Sequence, residues 1–151
     1  MSPMEYAIIT MVLDDDYIDT GNNVANAWMR FNRDFRNELV WFRAKHANKD
    51  PLKFTRGVKE NNPRLREVIQ QAAKMSDLMG AEKVLDWARW QFLDDLASGH
   101  YHDFESIIVY GLKLKILERY QEYRSPKGKQ IFDDMRTVEC SKDLLVEATA
   151  R

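Results

Sequence analysis

His100-Tyr101-His102-Asp103-Phe104-Glu105 places two imidazoles and two carboxylates within six residues. Imidazole nitrogen and carboxylate oxygen are donors that zinc and non-haem iron accept, so His100, His102, Asp103 and Glu105 are the candidate ligands of a metal-dependent helical enzyme or sensor. The same segment follows Gly99 and precedes an apolar helical run. In that position Asp103 serves as a helix cap and Glu105 as a first-turn charge complementing the helix dipole. This use accounts for both acids without an ion, and the reading adopted from the sequence is that the chain holds no metal.

Other catalytic arrangements are missing from the sequence. A helical di-iron centre needs Glu-x-x-His pairs on facing helices, and no Glu here is followed three residues later by His. The six glycines are scattered, so there is no phosphate-cradling loop and no Walker lysine, and no acyl-transfer triad is recognisable. Asp14-Asp15-Asp16 and Asp94-Asp95 read as solvated acids rather than cation ligands. The single Cys140 cannot form an internal disulfide and reads as a small half-buried side chain beside a helix start. The expectation is a non-enzymatic chain without a cofactor.

The aromatics Trp28, Phe31, Phe35, Trp41, Phe42, Trp87, Trp90 and Phe92 are numerous enough to suggest a stacking platform for single-stranded nucleic acid. Most fall on helical stripes, which assigns them to a core. Trp41 and Trp90 sit off the main stripe and are the candidates to anchor a partner. Arg30, Arg33, Arg36, Arg43 and Lys45 interleave with Asp34 and Glu38, a mixed solvated face. Arg36, Trp41, Arg43 and Trp90 are therefore the candidate partner contacts. With a net charge of -1 and a pI near 6.3, no whole-molecule field draws the chain to nucleic acid or to an anionic membrane.

The elements that position these residues read as helices. The 151 residues fit one domain, and 44% hydrophobic with 31% charged residues, only 6 Gly and 4 Pro, suit a helical globule. Tyr6 to Leu13 is a short apolar run that periodicity cannot assign to strand or helix, and its helical company favours helix. Thr20, Gly21 and Asn22 offer caps for a long helix to about Lys49, with Val24, Trp28, Phe31, Phe35, Leu39 and Phe42 forming a core-facing stripe. Asp50-Pro51 stops it. Asn62 and Pro63 open a helix through Leu65, Val68, Ile69 and Ala72 that frays between Met75 and Gly80.

The next helix begins near Ala81, with Leu85, Ala88, Phe92 and Leu96 on one face and Val84 and Trp87 alongside, and Gly99 ends it as a left-handed cap. Asp103 caps a helix whose Phe104, Ile107, Ile108, Leu112, Leu114, Ile116, Leu117 and Tyr120 are too apolar for one exposed face, making it the most buried helix. Ser125 and Pro126 start another through Ile131, Phe132 and Met135, and Ser141 opens a last one. The sum is an all-α bundle of about five to seven helices in a single domain over 1–151, with an N-terminal segment at 1–20.

No apolar run approaches the roughly 18 residues of a membrane span, and no basic segment precedes Tyr6 as a signal peptide would require. These features lead to an expected cytoplasmic location.

Two segments carry a family resemblance. Phe35-Arg36-Asn37-Glu38-Leu39-Val40-Trp41-Phe42-Arg43-Ala44-Lys45 resembles a helix of the C (d) subunit of rotary V/A-type ATPases, and Phe104 to Tyr120 is similar to that family's helix with a Tyr, a Lys and a late Glu. Phe31-Asn32-Arg33-Asp34-Phe35-Arg36-Asn37, Arg89-Trp90 and Ile116-Leu117-Glu118-Arg119-Tyr120 resemble more closely an uncharacterised bacterial family encoded beside V-type ATPase genes, over about residues 22–135.

The resemblance implies a C-subunit-like helical fold and an assembly role. The chain would be a subunit or accessory that couples the central stalk to the membrane rotor, peripheral to the inner face of the cell membrane through its protein partners only. It implies no catalytic residue and no cofactor. A helical adaptor or regulator unrelated to ATPases, and a metal-binding protein using His100 to Glu105, are the alternatives.

Overall fold

A computed structural model describes residues 2–14, 19–57, 60–124, 126, 128 and 130. Five α-helices run through them: α1 (Pro3–Leu13), α2 (Asn23–His46), α3 (Pro63–Ala73), α4 (Leu78–Ala97) and α5 (Phe104–Arg124), with one 3-10 turn at Pro51–Lys53. No strand occurs among the described residues, so the expected all-α bundle is borne out. The expected helix starts at Ser125 and Ser141, Ile131 to Met135, and Cys140, Asp15 and Asp16 fall outside the described residues. The chain divides into two compact units, Met1–Lys113 and Leu114–Arg151, with the boundary inside α5. None of the described helices is long and apolar enough to cross a membrane.

Local side-chain chemistry sets the boundaries. Ser2 and Glu5 form a reciprocal capping box, the Ser2 Oγ accepting from the Glu5 N–H and the Ser2 N–H donating to Glu5, which starts α1 ahead of the apolar run at Tyr6. Asn22 caps α2 by accepting the Ala25 N–H at 3.0 Å. That helix ends at His46, three residues before the expected Lys49, because Asn48 turns into the left-handed region at φ 51°. Asn62 accepts the Leu65 N–H at 3.3 Å, with Pro63 at the first helical position of α3.

The start of α4 corrects the sequence reading. Asp77 caps it by accepting the Gly80 N–H, so the helix begins at Leu78 and Gly80 lies within its first turn rather than in a frayed break. A Cβ at Gly80 would meet Asp77 Oδ2 at 2.7 Å, so a larger residue there would require the Asp77 carboxylate to shift. Gly99, at φ 88°, ends α4 just past Ser98 as expected.

The core of the first unit forms where α2, α3 and α4 meet: Phe35, Leu65, Ile69, Ala72 and Leu85 are buried together, flanked by Phe31, Leu39, Phe42, Val68, Ala81, Val84 and Ala88. Helix α3 packs on both α2 and α4, and α1 packs on α2 with Val12 buried. Phe31 of α2 stacks on Phe92 of α4 with ring centroids 3.9 Å apart and planes 6° from parallel.

Two expectations fail here. Among the described residues α5 is not the most buried helix: Ile108, Val109 and Leu112 are covered, while Ile107, Tyr110, Leu114 and Leu117 are exposed. Glu38, taken as part of a solvated face, is buried, with Arg66 at 3.7 Å, and Asn32 and Asn37 on the same helix are buried too.

Candidate functional site

The turn between α4 and α5 gathers three of the four candidate ligands. Gly99 turns the chain out of α4, His100 donates its N–H to the Ala97 carbonyl, and Asp103 caps α5 by accepting the Ser106 N–H through Oδ1 at 2.9 Å. The other carboxylate oxygen of Asp103, Oδ2, lies 2.7 Å from His100 Nδ1. Glu105, in the first turn of α5, receives a hydrogen bond at Oε1 from Asn22 Nδ2 at 3.0 Å, so the residue that caps α2 also holds the start of α5. One ligand atom from each of His100, Asp103 and Glu105 falls within 4.8 Å of the others, and all three side chains are half-buried.

His100 beside Asp103 holds that carboxyl below its ordinary value, and the Ser106 N–H lowers it further. Both stabilise the charged form by hydrogen bonding. His102 does not join the trio; its exposed side chain stands on a backbone at φ 61°, in the left-handed region. The arrangement offers one imidazole and two carboxylates to a cation, while the capping role expected for Asp103 is also present.

The four candidate partner contacts are not brought to one surface. Arg43 is exposed and Arg36 half-buried, seven residues apart on α2. Trp41 is half-buried on a different side of that helix, with Lys45 Nζ 5.8 Å from its ring centroid. Trp90 is half-buried on α4, and Lys113 of α5, paired with Asp94, lies 5.1 Å over its ring. The outward tryptophan of α4 is Trp87, 61% exposed, which the sequence reading set beside the core face.

What that reading missed is the outer face of α5. Ile107 and Tyr110, three residues apart, are exposed on one side of the helix, and Leu114 and Leu117, which belong to the second unit, are exposed as well. The signal lay in α5 being apolar at those positions as well as at Ile108, Val109 and Leu112.

Charge is also drawn inward on α2 and α4. Arg89 bonds Asp86 at 2.8 Å with both side chains 12% exposed, and its guanidinium carbon lies 4.2 Å from the centroid of the fully buried Phe35 ring. Buried charge is retained where it is paired and hydrogen-bonded, and this pair lies among the packed side chains of α2 and α4, away from the α4–α5 turn.

A family model described as protein of unknown function (DUF2764) matches residues 55–138. No curated protein and no solved structure matches the chain.

Proposed function

The chain belongs to the DUF2764 family, and we propose that it is a non-enzymatic protein-binding component, a subunit or accessory of a V/A-type rotary ATPase that joins the central stalk to the membrane rotor. The single observation that carries the binding role is α5. Its inner residues Ile108, Val109 and Leu112 are each 3% exposed, whereas Ile107 and Tyr110 on the outer face are 51% and 69% exposed. A helix apolar on both sides belongs between two packed layers, and an exposed apolar stripe marks a contact surface.

The choice of an ATPase subunit as occupant is supported by the resemblance of Phe31 to Asn37, Arg89-Trp90 and Ile116 to Tyr120 to proteins encoded beside V-type ATPase genes. Under this reading the chain is peripheral at the inner face of the membrane through its partners. Arg36, Trp41, Arg43 and Trp90 remain secondary contacts.

Affinity purification of the tagged full chain from cells holding the intact ATPase is the test. Stalk or rotor subunits should co-purify with the natural sequence and be lost with Tyr110→Asp. Recovery of the chain alone from such cells overturns the ATPase reading, and recovery of an unrelated protein through the same α5 face replaces it with an adaptor outside ATPases.

A further inference from the structure

We infer that His100, Asp103 and Glu105 form a binding site for a divalent transition-metal ion of the zinc class, with one imidazole and two carboxylate donors and at least one coordination position left to solvent. The helix-capping role of Asp103, which by itself accounts for that acid, does not compete with this. Capping uses Oδ1, which takes the Ser106 N–H, while Oδ2 is turned to His100. Glu105 is divided in the same way, with Oε1 held by Asn22 and Oε2 left to a ligand. Each acid thus has one oxygen committed to the fold, and the second oxygen of Asp103 faces His100.

The distances suit an ion. Zinc binds imidazole nitrogen and carboxylate oxygen at about 2.0–2.2 Å, so adjacent donors on one ion stand about 3 Å apart. His100 Nδ1 and Asp103 Oδ2 are 2.7 Å apart, and one ligand atom from each of the three residues falls within 4.8 Å of the others. The Asn22 amide supplies the outer hydrogen bond that orients a ligating carboxylate. The donor set of nitrogen and oxygen without sulfur fits zinc, iron or manganese better than a thiolate-seeking ion.

Binding requires the His100 Nδ1 lone pair. The proton that Nδ1 shares with Asp103 moves to Nε2 if the ring is neutral, and one proton is released to solvent if the ring is charged. The ion would tie the first turn of α5 to the end of α4, and through Asn22 to the start of α2.

Calorimetric titration of the full chain with Zn2+, after removal of metal by chelator, tests the site. One equivalent should bind, and His100→Ala and Glu105→Gln should each weaken binding about tenfold or more, whereas His46→Ala should not. Circular dichroism establishes that each variant is folded. If either variant fails to fold, NMR of the natural sequence decides: the His100 ring signals should shift on adding Zn2+ while those of His46 stay in place. No saturable binding, binding unaltered in both site variants, or equal shifts at His46 and His100 would overturn the site.

Discussion

Asn37 engages the backbone of Arg56 with both ends of its amide, Nδ2 donating to the Arg56 carbonyl at 2.9 Å and Oδ1 accepting the Arg56 N–H at 2.9 Å. A buried side chain of α2 thereby fixes the segment after the 3-10 turn, a stretch whose backbone has no helix partner of its own. Asn37→Ala removes both bonds and should cost about 1–3 kcal/mol, most of it from polar groups left unsatisfied. Asn37→Asp keeps the acceptor but sets a carboxylate against the Arg56 carbonyl, and should be no better. Urea unfolding of the two variants checks this, and midpoints equal to that of the natural sequence would refute it.

The Arg89 guanidinium is coupled both to Asp86 and to the Phe35 ring. Truncating one member of a buried pair leaves charge in a poorly solvated place, whereas removing both members together is far less costly. Arg89→Met and Asp86→Asn should therefore each destabilise, and the double variant should lose less than the sum of the two by about 0.5–3 kcal/mol. A double-mutant cycle by denaturant unfolding measures this, and simple additivity would show that the pair is not coupled.

Much of this fold was legible because caps are local chemistry. Asn22, Asn62 with Pro63, Gly99 and Asp103 act at their expected positions, each through a side chain or φ angle that its own residue type supplies. Gly80 was misread because a glycine looks like a breaker until its neighbour is seen: here its N–H is the donor that the Asp77 cap accepts. The tryptophans of α4 were misplaced for a different reason. The apolar pattern centres the core face on Leu85, Ala88 and Phe92, but Asp86 and Arg89 also turn inward, and at about 100° per residue this rotates the buried face toward Leu93. Trp87 is then carried outward and Trp90 to the flank. The trio at the α4–α5 turn could be named from the sequence, but the division of its carboxylate oxygens could not, since that depends on Asn22, 83 residues from Glu105.

Ile107 and Ile108 are chemically identical neighbours with opposite surroundings, 51% and 3% exposed. Ile108→Ala opens a cavity and should cost about 2–5 kcal/mol. Ile107→Ala removes little buried surface and should stay within about 0.5 kcal/mol. Ile107→Asp should likewise leave the isolated chain folded while abolishing recovery of a partner through α5. Thermal unfolding of the three variants beside a pull-down separates the two faces. A large loss of stability from Ile107→Ala would mean that the chain itself covers this face.

Asp19 provides the pH dependence. Its carboxylate accepts the Gly21 N–H at 3.0 Å and the Asn26 Nδ2 at 2.6 Å, and these bonds, backbone first, lower its pKa below the ordinary 3.8. Asn26 in turn accepts from the Thr20 N–H and hydroxyl through Oδ1, so the ionised Asp19 anchors the chain entering α2. A carboxyl whose folded pKa is depressed stabilises the fold above its unfolded pKa, and that contribution is lost as pH falls through the folded value. The anchor should therefore be fully formed at neutral pH and released only below about pH 4. An NMR titration of the Asp19 carboxyl carbon should give a midpoint below 3.8, and Asp19→Asn should remove this step while leaving neutral-pH helicity unchanged. A midpoint at or above the ordinary value would show that Asp19 does not hold this turn.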